Sequence, residues 1–450
     1  MGIVRSTWKI FRLGLLGTGA GWMFALLTFN FNRVTDSDLG AAAILITTLI
    51  GLHHFLSPFQ VFWGRLADRY PLWGYRRSPH ILLSAIGGSI LFVLLPGLAI
   101  ELGQHNPLAI GLAFIIFSTF GILMSANGGA SNALVAEVTT ERERDAAVAV
   151  FRIMMIVSII LTAGVSKMLM PTYDPQQMQY LYNLTPLIVI TATVLGLIGL
   201  EKRLSPHEHR VLMAQPRVES SDTGAFQLAW QLLSTNRQVR WFFVFVLLSI
   251  MGIFLQDAIL EPFGAEVFGL IQAETATFTQ IWGGSVLLSM IILVTITRFR
   301  PIPKKALATV GGVGTALGLL LIALTSMTKQ QALLEPGLIV LGISTGVFNI
   351  GAVTMMMEMT IDGHTGIYMG LWGMANGLGN GLANALSGTL KTAFIETGLF
   401  QVGPGYGLIF GIEALMMLLA VMVLRHISVQ EFRSLSQAEI TTAMVFDTAT

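Results

Sequence analysis

Residues 256–284 read QDAILEPFGAEVFGLIQAETATFTQIWGG, and their polarity interrupts an otherwise greasy chain. Upstream, Trp241 to Leu255 is an almost uncharged apolar segment that suits lipid or the core of a helix bundle. Asp257 and Glu261 then follow four residues apart, a spacing that puts both carboxylates on one helical face. Pro262 and Gly264 are expected to stop that helix. Acids at the end of a membrane helix cost free energy unless they face protein, water or a partner. The stretch therefore marks a contact or a site.

The rest of the chain has the same character. Of 450 residues, 54% are apolar and only 11% charged, against about a quarter charged in soluble domains. Apolar runs recur near residues 13–33, 40–62, 79–100, 107–136, 146–168, 183–200, 241–260, 275–297, 305–327, 334–357, 364–390 and 404–424. At about 20 residues per crossing, this predicts an all-α integral membrane protein with 12 transmembrane helices and no soluble domain. With the N-terminus inside, 21 of the 26 Lys and Arg lie on the inner side; Arg33, Lys167, Lys329 and Lys391 fall in outer loops and Arg152 within a helix. The positive-inside rule then puts both termini in the cytoplasm. The net charge of +1 gives no reason to expect nucleic acid, and the absence of Cys excludes disulfides and thiolate metal sites. Arg5, Lys9 and Arg12 precede a run that reads on as the first helix, with no small-residue cleavage site.

Residues 201–240 form the one long polar stretch. They divide the chain into a six-helix bundle over 1–200, a cytoplasmic linker with a surface helix over Thr223–Leu233, a second six-helix bundle over 241–426, and a tail over 427–450. A linker or a partner-docking segment both fit this composition. The halves look like repeats. Glu137 ends a helix before Val-Thr-Thr and a short charged loop, and Glu358 ends one before Met-Thr-Ile and a short loop. Six plus six with a central linker is the plan of two related transporter bundles. In the loop after the second run, Gly64-Arg65-Leu66-Ala67-Asp68-Arg69 precedes Gly74-Tyr75-Arg76-Arg77.

Asp257, Leu260-Glu261-Pro262, Phe263-Gly264, Glu266-Val267-Phe268-Gly269, Glu274-Thr275 and Trp282-Gly283 together resemble the signature of the PucC/LhaA group. This is the bacteriochlorophyll delivery family of the major facilitator superfamily. The likeness extends to the second run, to Ala133–Ile156, and to Gly370, Trp372-Gly373 and Ala383. It implies a factor that binds chlorophyll a or bacteriochlorophyll, with carotenoid as a further candidate. It also implies light-harvesting or photosystem apoproteins and pigment-synthesis enzymes as partners, in a thylakoid or inner photosynthetic membrane. Ser57-Pro58-Phe59-Gln60 replaces the family's Pro-Leu-Arg type step, which points to a divergent, cyanobacterial branch. By resemblance to the superfamily's cytoplasmic motif, Arg65 and Asp68 would latch the halves; otherwise they are positive-inside residues with a local ion pair.

His53 and His54 sit in the second run, in its inner half at about 1.5 Å per residue. A neutral imidazole offers a lone pair to a metal, and the magnesium of a chlorophyll has an open axial position. An interhelical hydrogen bond is the alternative. The family pattern carries a histidine and a downstream proline here, matched by His53 and Pro58, and makes His53 the candidate magnesium ligand. Neighbouring helical positions point about 100° apart, so the two rings are not expected to serve one pigment. Asp257 and Glu261 could ligate pigment, carry a coupled proton, or cap the helix end. Glu413 is a lone acid in the last helix. Arg152 either snorkels to the inner surface or pairs with Glu137. Trp372 and Asn376 belong to a Gly373, Gly377, Gly381 stripe that suits close helix packing or a flat bed for a pigment ring, and Asn127, Asn132, Asn380 and Asn384 are expected to hydrogen-bond across helices.

Gly311-Gly312-Val313-Gly314 lies in an apolar helix with no preceding strand, so it is no phosphate loop. The Met355-Met356-Met357 run reads as packing, and no catalytic constellation is present, so an enzyme is not expected. Two functions remain: a pigment-handling assembly factor, or a proton-coupled secondary transporter of a small or hydrophobic solute. The apolar middles of the first and tenth runs, Gly14–Phe29 and Gly337–Phe348, favour a hydrophobic cargo or no transport cycle.

Overall fold

The computed structural model describes residues 2–60, 63, 66, 70–205, 232–300, 302–360 and 365–432. Apart from one isolated bridge between Leu72 and Tyr75, all regular structure among the described residues is helical. Helix α1 spans Gly2–Ala25 and continues through wider turns over Leu26–Phe31 and Val34–Asp38; α2 is Ala43–Phe55, α3 Ser78–Gly103, α4 Pro107–Val138, α5 Glu141–Leu169 and α6 Pro175–Leu197. There follow α7 (Arg237–Phe254), α8 (Leu260–Phe268), α9 (Gln272–Phe299), α10 (Lys304–Thr328), α11 (Leu334–Glu358), α12 (Thr365–Lys391) and α13 (Val402–Leu424). Ten helical stretches among the described residues are long and apolar enough to cross a bilayer. The other two expected crossings coincide with α2, only 13 residues long, and with α12, whose glycines and three asparagines dilute its apolarity. The expected surface helix over Thr223–Leu233 lies outside the described residues except at its last two positions, as do Arg65 and Asp68.

Helix starts follow side-chain chemistry. Asn106, Asp174 and Asn236 accept backbone N–H groups at the starts of α4, α6 and α7. Asp174 with Pro175 begins α6 eight residues before the apolar run at 183, because a cap and an N1 proline set a helix start independently of hydropathy. Glu201 accepts the N–H groups of Arg76, Arg77 and Ser78 at 2.6–2.9 Å, placing a carboxylate at the positive end of α3. At the start of α5, bonds from Lys9 and Ser6 hold the Glu143 carboxyl down at about 2.

The acidic stretch is built differently from its sequence expectation. α7 ends at Phe254, Leu255–Ala258 tighten into a 3-10 turn, and α8 runs straight through Pro262 and Gly264 to stop at Gly269, which takes φ 67°. Pro262 is tolerated because it occupies the third position of α8, where the N–H has no intrahelical acceptor. Gly269 ends the helix because the left-handed conformation needs no Cβ.

Helices α1–α6 pack mainly on one another, as do α7–α13, and the two sets meet along α2 with α12 and α5 with α9. Small residues make these seams close. A Cβ on Gly388 would lie 2.6 Å from Ala43 O, and one on Gly51 3.1 Å from Gly381 O. Both glutamates that end these helices have basic neighbours: Glu137 at the end of α4 lies 3.6 Å from Arg77 before α3, and Glu358 at the end of α11 pairs with Lys304 at the start of α10.

The end carrying Arg33 and Lys391 is the one that the charge distribution leads one to expect outside, and it is here called the outer end. Neither residue is a loop charge as expected from sequence; both are 3% exposed. Lys391, closing α12, pairs with Asp36 from α1 and with Glu266 from α8 at 2.6 Å, and Tyr406 donates to Glu266 at 3.0 Å. Arg33 pairs with Asp38 at 2.7 Å and donates to Leu270 O at 3.1 Å. Asn32 donates to Ala258 O, and Ala43 N–H to Glu396 at 3.1 Å. The two sets are therefore tied by buried charge at the outer end.

Removing one partner of a buried pair strands the other, so Lys391→Met is expected to cost about 3 kcal/mol of stability, read as a lowered thermal unfolding midpoint in detergent. The chain has no Cys, so Ser166→Cys supplies a single probe of the gap behind the tie. Its labelling by an impermeant maleimide from the outer side should rise at least tenfold with Lys391→Met; unchanged labelling would show that the tie does not close that end. In the α2–α12 seam, Gly388→Leu should cost about 1–3 kcal/mol by overpacking. Gly370→Ala, where a Cβ meets nothing within 4 Å, should leave the midpoint unchanged or higher.

Candidate functional site

The last turn of α2 carries His53 and His54. His53 Nδ1 lies 2.6 Å from Ile50 O. A carbonyl only accepts, so Nδ1 carries the proton and Nε2 keeps its lone pair, the arrangement that orients a histidine toward a metal. Ile44, 40% exposed, marks the outward face of α2. Nine residues on, at about 100° each, His53 points the opposite way. The ring is half-buried and faces inward, with Phe120 of α4 at 5.5 Å between centroids. The two imidazoles, expected to diverge, instead lie 3.8 Å apart between centroids at 37°. Both rings thus lie on one side of α2, because side-chain torsions swing neighbouring rings together across the backbone angle.

The glycine stripe of α12 meets this turn and divides in two. Gly377 packs against His54 O, where a Cβ would lie 3.1 Å away, and a Cβ on Gly381 would lie 2.8 Å from the Phe55 ring. These two serve close helix packing. Among the described residues, Gly370 and Gly373 have nothing within 4 Å of a Cβ position. Seven and four residues before Gly377, they continue its face to within about 40°. Ser57 Oγ, at the same end, has no hydrogen-bond partner. The fold thus sets Gly377 of α12 against His54 and Ser57 of the first half, which are far apart in sequence.

The remaining candidates lie elsewhere. Asp257 and Glu261 are 4% and 3% exposed and sit at the opposite, outer end of the seam from His53. Glu261 lies 3.5 Å from the Thr275 and Thr279 hydroxyls and faces a gap lined by Asn30, Ser166 and Gln272. Glu413, fully buried, accepts the Gln256 N–H at 2.9 Å. Trp372 is turned into the packed interior of α7–α13, its indole N–H donated to Met359 O at 3.1 Å and its ring 4.6 Å from that of Phe242. Asn376, Asn380 and Asn384 each donate to the carbonyl four residues earlier in α12 rather than across helices, while Asn127 does reach across, to Ile81 O and Ser84. Arg152 does not pair with Glu137, which is beside Arg77; it is exposed. It lies eleven residues from Ala163, a wall of the gap between the halves, and so on the same face of α5. Sequence reasoning missed Asp36 and Gln272 and gave Glu266 no role beyond the family signature; Asp36 meets Lys391 355 residues away, so no local pattern announces that pair.

Among the described residues no group of three His, Asp or Glu could hold a bare metal ion. A single imidazole whose Nε2 keeps its lone pair fits a metal that needs only one further donor from the protein.

A profile of the family described as "PUCC protein" matches residues 30–432. The "Bacteriochlorophyll synthase 44.5 kDa chain" of Rhodobacter capsulatus is 29% identical over 420 residues, covering 92% of this chain and 94% of that protein. "Protein PucC" of Cereibacter sphaeroides is 25% identical over 430 residues, covering 92% and 91%. Among solved structures, the nucleoside transporter NupG has TM-score 0.67 at 15% identity, covering 93% of this chain and 98% of its own. The xylose transporter XylE from E. coli, in a partially occluded inward open conformation, has TM-score 0.64 at 15% identity, covering 92% and 96%. At such identities the likeness is one of fold, that of the major facilitator superfamily, and the protein is a multi-pass membrane protein. With a family match over most of its length, the chain belongs to the PucC family.

Proposed function

We propose that this protein is a non-enzymatic assembly factor that binds a magnesium tetrapyrrole, chlorophyll a or bacteriochlorophyll, and hands it to light-harvesting or photosystem apoproteins in a photosynthetic membrane. It works as two six-helix halves with both termini in the cytoplasm. The observation that carries the reading is His53: its Nδ1–H is engaged by Ile50 O, which leaves the Nε2 lone pair for a metal, and the ring lies against Phe120 of α4. His53 would hold the magnesium of the pigment through Nε2, and Gly370 and Gly373 would leave room for a flat ring. Family membership and a relative named as a bacteriochlorophyll synthase chain support the pigment class.

A proton-coupled transporter remains the second reading, favoured by the fold and by Asp257 and Glu261 buried at a broken helix. Against it, the gap beside Glu261 admits only about one water-sized occupant, and α1 and α11 present apolar middles.

Wild-type protein purified in mild detergent from a pigment-producing host should show tetrapyrrole absorption. His53→Ala should lose bound pigment about tenfold or more with an unchanged unfolding midpoint, Gly373→Leu should lower occupancy, and His54→Ala should retain most of it. Full retention in His53→Ala removes that residue as ligand. A colourless wild type with saturable uptake of a polar solute, abolished by Asp257→Asn, would favour the transporter instead.

A further inference from the structure

We propose that the gap between α1, α5, α8 and α9 is a binding site for a dehydrated alkali-metal cation, Na+ by its size, held by oxygen atoms from both halves. The gap is walled by Ala25, Leu26, Phe29, Ala163 and Ala276, and into it face Asn30, Thr162 and Ser166 from one half and Glu261 and Gln272 from the other. It has room for one water-sized occupant.

Gln272 supplies the decisive observation. It is 2% exposed, and both its amide oxygen and its amide nitrogen are buried without a hydrogen-bond partner. A buried amide left in this state is costly, so an occupant is expected. Glu261 has only the Thr275 and Thr279 hydroxyls at 3.5 Å, the outer limit of a hydrogen bond. Arg33, the cation that acts on Glu261, is taken up by Asp38 at 2.7 Å and Leu270 O.

The neighbouring groups have oxygen lone pairs to spare. Asn30 donates its amide to Ser166 Oγ at 2.9 Å, and its own oxygen lies 3.1 Å from the Tyr182 hydroxyl. Thr162 donates its only hydroxyl proton to Ser158 O at 2.7 Å, leaving its oxygen lone pairs free. The donor set is thus a carboxylate, two amide oxygens and two hydroxyl oxygens. Hard oxygen ligands select a hard cation, and one carboxylate balances one positive charge, which favours a monovalent ion. The site adjoins the interrupted α7–α8 segment, where broken helices in transporter folds gather ion ligands. Because its ligands come from both halves, a bound cation favours the closed outer end.

The test uses full-length, pigment-free protein in detergent at fixed pH, and so does not depend on the pigment reading. Replacing choline chloride by NaCl at equal ionic strength should raise the unfolding midpoint saturably, by about 2 °C, with KCl less effective. Glu261→Gln and Gln272→Leu should abolish the Na+ effect; Thr162→Val, the mildest change, should shift its midpoint concentration upward and serves if the others fail to fold. A wild type indifferent to Na+ overturns the proposal, leaving a water in the gap. So does a response to pH alone, which would make Glu261 a proton carrier, or a Na+ effect that survives in every variant.

Discussion

Hydrocarbon offers no water to a polar group, so each polar atom below the headgroups needs a partner from the protein itself. The cluster of Lys391, Asp36 and Glu266 is where that constraint acts most strongly. Lys391 closes a helix of the second half, and its two carboxylates come from the first half and from the short helix α8. None of the three is tolerable alone at 3–7% exposure for the buried pair, and together they fix how the halves meet at the outer end. The interruption of α7 follows from the same need: it swings α8 across the outer end so that Glu266 reaches Lys391 while Glu261 turns inward.

From that tie the seam runs inward along α2 and α12 and changes in character. Near the outer end it is dry and close, with Gly388 against Thr47 and Ala43; midway Gly381 meets Phe55, and then Gly377 meets Ser57 and His54. Among the described residues nothing lies within 4 Å of a Cβ at Gly370 and Gly373.

The fold is shared with transporters. The gap between α1, α5, α8 and α9 has room for one water-sized occupant, with Glu261 and Gln272 on its polar side and Ala25, Leu26 and Phe29 on its apolar wall.

Composition and apolar spacing alone were enough to determine a helical membrane protein with paired halves, because lipid admits little else over such runs. The residues around Glu261, Trp282 and Trp372 carried the family resemblance, and the His53 turn was legible as a ligand candidate. Sequence could not tell that Pro262 and Gly264 sit inside a helix, since proline in a first turn costs nothing and only the cap geometry reveals the turn. Nor could it tell that Lys391 and Arg33 are buried ties instead of loop charges, that Trp372 faces a packed interior, or that His54 stacks on His53. Those outcomes depend on partners hundreds of residues away and on side-chain torsions. Such contacts exist only once helices from both halves have been brought side by side, and only the tertiary structure decides them.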